Sequence, residues 1–368
     1  MEKVEDAIRN KNSLLCIGYN LPEVDLSDKK FEAPVYFTGA IFHEGANFSS
    51  TKFSVAYFDG AKFSSIAYFN GAIFHEAYFR FAEFSSEAYF GSANFSSMVD
   101  FREVKFSGAT IFNETKFLGI AFFDYVAFLD AVSFVNSDFS PDVLEKCLDP
   151  YNYISFRHSN FEKQEKVVFD GCNMERVSFI CTDIERVKFR NVEWRDFKIY
   201  DEKLFLLKHL EKERKKFVED GKIKLKEISK VSNEKILEVL EGKRKASETE
   251  EEIVKALESR IPDVLKEINQ LENKKEKTED EEDKLNKLLK ECENKIDEIK
   301  SEVEEVISSK DEEIEKNILE NISEDEDLTL DNVLAVYRAL RENYDYYLKY
   351  DESGKILHQR NEVKEKVF

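Results

Sequence analysis

The chain has 368 residues and a mass of 43.1 kDa, room for two domains with cores of their own. Its 76 acidic against 55 basic residues leave a net charge of −21, which speaks against general binding of nucleic-acid backbones, because phosphates would be repelled. Five cysteines without CxxC spacing point to a reducing, cytoplasmic setting, and the absence of long apolar runs leaves no membrane span or secretory signal to expect.

At the amino terminus Val4, Ala7 and Ile8 keep helical spacing, so a capping helix is expected within residues 1–20. Phenylalanine then dominates: 23 of the 32 in the chain lie between Phe31 and Phe139. They recur at Phe37, Phe42, Phe48, Phe53, Phe58, Phe63, Phe69, Phe74, Phe79, Phe84, Phe90, Phe95, Phe101, Phe106, Phe112, Phe117, Phe123, Phe128, Phe134 and Phe139. Every step is five or six residues, and two positions before each Phe stands a small or β-branched residue, from Val35, Ala40 and Ala46 through Ser137. Neither the helix period nor strand alternation gives this beat; a chain that turns a corner every five residues does. Leu21, Leu26 and Phe31 carry the beat upstream.

This small-x-Phe-x-x pattern resembles the Phe-centred pentapeptide-repeat proteins, over roughly residues 21–197. The resemblance implies a right-handed, four-sided β-helix, with the central Phe and the small residue pointing into its shaft. The step lengths test four sides independently. Counting sides from Phe37, the six-residue steps 42→48, 63→69, 84→90, 106→112 and 128→134 all follow side two, and 95→101 and 117→123 follow side four. A three-sided winding would scatter them. The first repeat block is placed at 21–139, an interrupting loop or short helix at 140–155, and a second block at 156–200. In that second block Phe169, Met174, Phe179, Ile184, Phe189 and Trp194 continue the inward positions.

The outer surface can be read side by side. Thr38, Asp59, Arg80, Arg102 and Asp124 follow the central Phe on side one, and Ile41, Lys62, Glu83, Lys105 and Ala127 precede it on side two, so opposite charges alternate between levels. Tyr36, Tyr57 and Tyr78 fall above one another on side one, and Tyr68 and Tyr89 on side three. Pairing that locks register accounts for them; an aromatic strip for a partner protein is the functional alternative. His43 and His75 each stand in Ile-Phe-His-Glu but on opposite sides, so they cannot share a metal ion, and His158, His209 and His358 are isolated in sequence. Cys172 should point inward and Cys181 outward. Without a P-loop, GxGxxG or GxSxG, no enzyme, cofactor or metal is expected.

Composition shifts near residue 200: 81 of the last 168 residues are charged, against 50 of the first 200. Within 201–327 two apolar seams run through Val254, Leu257, Ile261, Val264, Ile268 and Leu271, then Leu285, Leu289, Cys292, Ile296, Ile299, Val303 and Val306. They predict an antiparallel helical hairpin, with a homodimeric coiled coil through this arm as the alternative. Residues 328–368 contain Tyr337-Arg338, Leu340-Arg341, Asn343-Tyr344, Tyr346-Tyr347, Tyr350 and Asp351-Glu352-Ser353-Gly354. That segment is similar to one found after the repeats in archaeal membrane-associated pentapeptide-repeat proteins, some with potassium-channel-like pores. Tyr337, Arg341 and Tyr344 join the tyrosines above as candidate interaction residues; the plain reading packs this aromatic face on the hairpin.

Three functions follow as expectations. The first is a non-enzymatic scaffold, a β-helical rod whose helical arm docks a protein partner. The second is a DNA mimic that inhibits topoisomerases, as the resemblance implies for some relatives, although residues 37–139 interleave 11 acids with 6 bases. The third is a cytosolic regulatory module of a channel-like membrane protein.

Overall fold

A computed structural model describes residues 2–139, 153–194, 199–209, 211–274, 278–308, 325–347 and 350–367. Most of the expected interruption at 140–155 therefore lies outside the described residues. The chain forms two compact units, one of residues 1–141, 151–209 and 325–368 and one of residues 142–150 and 210–324.

The first unit is a solenoid β-helix of about seven turns over residues 14–190. Helix α1 (Glu2–Asn10) buries Ala7 at its lower end and stops where Lys11 turns left-handed, φ 53°. The capping helix expected within residues 1–20 therefore ends at Asn10, and Leu14–Leu15 and Asn20–Leu21 are already strands of the first turn. Above it, strands mostly two residues long stack in parallel. One face carries Leu14, Val35, Ala56, Ala77, Val99, Ala121, Ile154 and Val177 in register. The face two corners on carries Val24, Ala46, Ala67, Ala88, Thr110, Val132 and Val167. Strand main-chain groups pair with the turn above or below, at the spacing of about 4.8 Å that neighbouring strands require, and corner groups such as the Ala61 N–H bond back to the preceding Phe carbonyl.

Two kinds of corner alternate. After sides one and three the residue two beyond each central Phe is left-handed, as at Gly39, Ser50, Gly60, Gly71, Phe81 and Ser92. Such a corner is tight and always takes five residues. The corners after sides two and four lack that residue, and every six-residue step falls there. Where side four meets side one with no extra residue, a single strand runs through the bend, Lys52–Tyr57 and Ile73–Tyr78. Where the extra residue enters, turns approach so closely that a Cβ on Gly119 would stand 1.9 Å from the Ser97 carbonyl oxygen. In the second block the side-two corner widens further, through a short helical turn at Gln164–Lys166 between Phe161 and Phe169.

The twenty central Phe of the repeats from Phe37 to Phe139 are all buried, and so are Phe169, Met174, Phe179, Ile184 and Phe189; Trp194 is partly buried against the same core. Rings stack within a column, as Phe58 on Phe79 at 4.8 Å and 5°. Facing columns meet edge to face, as Phe69 against Phe79 at 5.6 Å and 88°. Each ring thereby contributes about 1.5–3 kcal/mol of burial, and the shaft is solid. The second block continues the columns without a break: Phe123 stacks on Phe156 at 4.7 Å and Phe134 on Phe169 at 4.7 Å.

The upper end is closed by helices α2 (Tyr200–His209), α8 (Leu330–Tyr346) and α9 (Tyr350–Val367), whose apolar residues join the shaft in one core. This corrects the reading that packs the aromatic carboxy-terminal face on the hairpin. That face carries buried donors as well as rings, and the open carbonyls of the last turn are what such donors satisfy.

The second unit contains α3 (Glu211–Lys230), α4 (Asn233–Leu240), α5 (Glu248–Arg260), α6 (Pro262–Glu272) and α7 (Glu279–Ser308). Ser247 and Glu250 form a reciprocal capping box on α5, and Pro262 starts α6. The seam of α7, Leu285, Cys292, Ile296, Ile299 and Val303, is buried against Leu225, Ile228, Ile236, Ile253, Leu257, Leu265, Ile268 and Leu271. The expected two-helix hairpin is instead a bundle in which four shorter helices of the same chain cover one long one. The α7 seam is thus packed within the chain rather than left open for a second copy. Among the described residues, no helix is long and apolar enough to cross a membrane.

Candidate interaction faces of the β-helix

On side one, register places Leu15, Tyr36, Tyr57 and Tyr78 above one another. The rings stack at 4.8 Å and 5.0 Å, nearly parallel. The strip starts from an apolar foot, since Leu15, Ile17 and Tyr19 are 55%, 56% and 44% exposed. Its upper end turns polar. The Tyr78 hydroxyl donates to Glu76 at 2.9 Å, and burial together with that carboxylate pushes its pKa up to about 12. One turn higher, the buried Asp100 accepts from Nε of Arg102 at 2.9 Å, and the Arg102 guanidinium lies 4.9 Å from the centre of the Phe122 ring. On side three only Tyr68 and Tyr89 stack, at 5.4 Å.

The structure moves two proposed interaction residues inside. Tyr337 is fully buried: its hydroxyl accepts from the Ile199 N–H at 3.2 Å and donates to Glu202 at 2.6 Å. Tyr344 is buried too, and its hydroxyl accepts from Nε1 of Trp194 at 2.9 Å. Tyr337 ties α8 to the start of α2 and Tyr344 ties it to Trp194 at the end of the repeats, so neither faces a partner. Arg341 remains at the surface, 3.7 Å from Asp345.

Behind the closing helices lies a buried polar chain. Arg157 donates from Nε to Ser178 at 3.2 Å and from Nη1 to Asp325 at 2.6 Å. Ser178 in turn donates to Asp201 at 2.5 Å, and the Phe179 N–H reaches the same carboxylate at 3.3 Å. Burial raises the pKa of Asp201 to about 6, with Arg157 pulling the other way.

One left-handed corner forms a column of its own: Gly18, Gly39, Gly60, Phe81, Glu103, Tyr125, His158 and Cys181. His158 and Cys181 stand two residues beyond Phe156 and Phe179, on consecutive turns. Nε2 of His158 is 2.8 Å from Oδ2 of Asp327, and the imidazole lies parallel to the Tyr125 ring at 4.7 Å. The ligating atoms of His158, Cys181 and Asp327 all lie within 4.8 Å of one another. Sequence spacing alone left His158 isolated, although its corner position and that of Cys181 were readable from the repeat; Asp327, more than a hundred residues away, carried no signal. His43 and His75 remain apart, His43 beside Asn20 at 3.3 Å and His75 beside Ser96 at 3.4 Å.

Residues 27–73 and 69–115 match the family model described as pentapeptide repeats (9 copies), and the chain carries those repeats. No curated protein matches the chain significantly. A solved structure of QnrB1, a plasmid-mediated fluoroquinolone resistance protein in a trypsin-treated form, is similar at 15% identity over 50% of this chain and 90% of that one. The TM-score of that likeness, 0.19, is too low to carry an argument.

Proposed function

We propose that this pentapeptide-repeat chain is a non-enzymatic scaffold whose β-helix presents a fixed side-chain surface to a protein partner. The observation that carries the reading is the side-one strip, three stacked tyrosines running down to Leu15, which is 55% exposed. Such a strip joins apolar area to rigid aromatic anchors, held by a backbone that loses little entropy on binding. The helical bundle of residues 210–324 offers a second, highly charged surface in the same chain.

The DNA-mimic reading draws less support. Lys62 meets Glu83 at 3.0 Å across turns, Arg80 lies 3.7 Å from Asp100, and Arg102 also meets Asp100, so acids here are interleaved with bases rather than arrayed as stripes. The channel-module reading rested on the carboxy-terminal aromatic segment, whose Tyr337 and Tyr344 serve internal closure.

The test is capture of partners from native extract on the full chain and on a Leu15→Ser, Tyr57→Ser variant of equal melting temperature. Loss of a specific protein with the variant supports the strip. An identical capture profile, or none on either, rejects it.

A further inference from the structure

We propose that His158, Cys181 and Asp327 bind a zinc ion, with water in the fourth position. The β-helix itself builds two of the three ligands. His158 and Cys181 occupy successive rungs of one left-handed corner, φ 54° and 57°, and a corner side chain cannot turn inward. Both project outward one turn apart. The third ligand arrives from the other end of the chain, where the loop before α8 carries Asp327 to the same corner.

The distances suit the ion. A tetrahedral zinc with bonds of about 2.0–2.3 Å places its ligand atoms about 3.3–3.6 Å apart. His158 and Asp327 meet at 2.8 Å, a hydrogen-bond contact that opens by about 0.5 Å to admit the ion, and all three atoms lie within 4.8 Å. Closing the rest takes a side-chain rotation of the exposed Cys181. Tyr125, stacked parallel at 4.7 Å, fixes the imidazole plane before an ion arrives.

The donor set selects the metal class. One imidazole, one thiol and one carboxylate suit zinc, whereas magnesium and calcium take oxygen donors. The side chains of His158 and Asp327 are 28% and 40% exposed, so an ion and its water have access. An ion here would staple the loop before α8 to the β-helix, beside the Arg157–Asp325 pair.

The alternative is a plain His–Asp pair with a bystander thiol, and cobalt distinguishes the two. The full chain, stripped with chelator, is titrated with Co²⁺ alone and with Zn²⁺ alone, followed by absorbance and by melting temperature. Expected are one ion per chain, a near-ultraviolet thiolate-to-cobalt band, and a zinc-dependent rise in melting temperature. Cys181→Ser should abolish the band, and Asp327→Asn should weaken binding roughly tenfold or more, with far-ultraviolet dichroism unchanged. Absence of the band in the wild-type chain overturns the proposal. So does zinc affinity that is equal in the wild type and Cys181→Ser.

Discussion

The side-chain amide of Asn343 donates to the main-chain carbonyl of Val187 at 2.6 Å, and the same nitrogen lies 2.8 Å from the carbonyl oxygen of Ile184. Those carbonyls belong to the last turn of the β-helix, where no further turn supplies N–H groups. A helix side chain therefore replaces the missing strand, and Tyr347 adds a further contact, its hydroxyl donating to the carbonyl of Arg186 at 2.8 Å. An open β-helix end is a template for another chain, and this one is covered.

Asn343→Asp keeps the shape and removes the donors, leaving a carboxylate against carbonyl oxygens in a fully buried site. A loss of about 1–3 kcal/mol is expected, read as a lower urea midpoint at neutral pH. An unchanged midpoint would mean that these bonds do not secure the end.

Ala77 is fully buried on side one, in register with Ala56 below and Val99 above. Ala77→Phe has no space to enter, and overpacking should cost at least about 1–3 kcal/mol. Thermal melts of the two chains check this. Equal melting temperatures would place the side chain outside the shaft.

Asp201 gives a pH dependence of definite sign. Its pKa in the folded chain is about 6, against an ordinary 3.8, so the folded state holds the proton more firmly. Its contribution is full below about pH 4 and is lost as pH rises through about 6. Relative to Asp201→Asn, the wild type should therefore lose stability between those limits. Denaturation midpoints at several pH values measure the difference; parallel profiles would refute it.

In the helical bundle Glu250 behaves in the opposite sense. Hydrogen bonds from Arg244 and from the Ser247 N–H lower its pKa to about 2, from an ordinary 4.5. Its contribution is present above about pH 4.5 and is lost as pH falls towards about 2. Ser247→Ala removes the other half of the capping box and should cost about 1 kcal/mol at neutral pH. Hydrogen exchange in residues 248–260 reads that loss locally, and unchanged rates would show that the cap is idle.

The β-helix was legible because its code is local: a Phe every five or six residues states where each corner lies and which side chains fill the shaft. The fixed place of the six-residue steps also had a cause in the sequence, although the left-handed corners that forbid extra residues became visible only in the backbone. The ends were not legible. Tyr337 and Tyr344 read as surface aromatics, and Asn343 carried no role at all, because their partners, Glu202, Trp194 and Val187, are more than a hundred residues distant. The bundle was underestimated for a similar reason. An apolar seam gives the face of α7 to be covered, but it does not tell how many short helices will cover it.

The claim on which the rest depends is a Phe-filled, four-faced column whose last turn is closed by the carboxy-terminal helices. Peptide-level hydrogen exchange on the full chain, wild type against Asn343→Asp, tests it most directly. The expected result is slow exchange through all turns of the wild type, with faster exchange in the variant confined to residues 177–194. Rapid exchange across residues 37–139 of the wild type, or a variant whose last turn stays as protected as before, would contradict it.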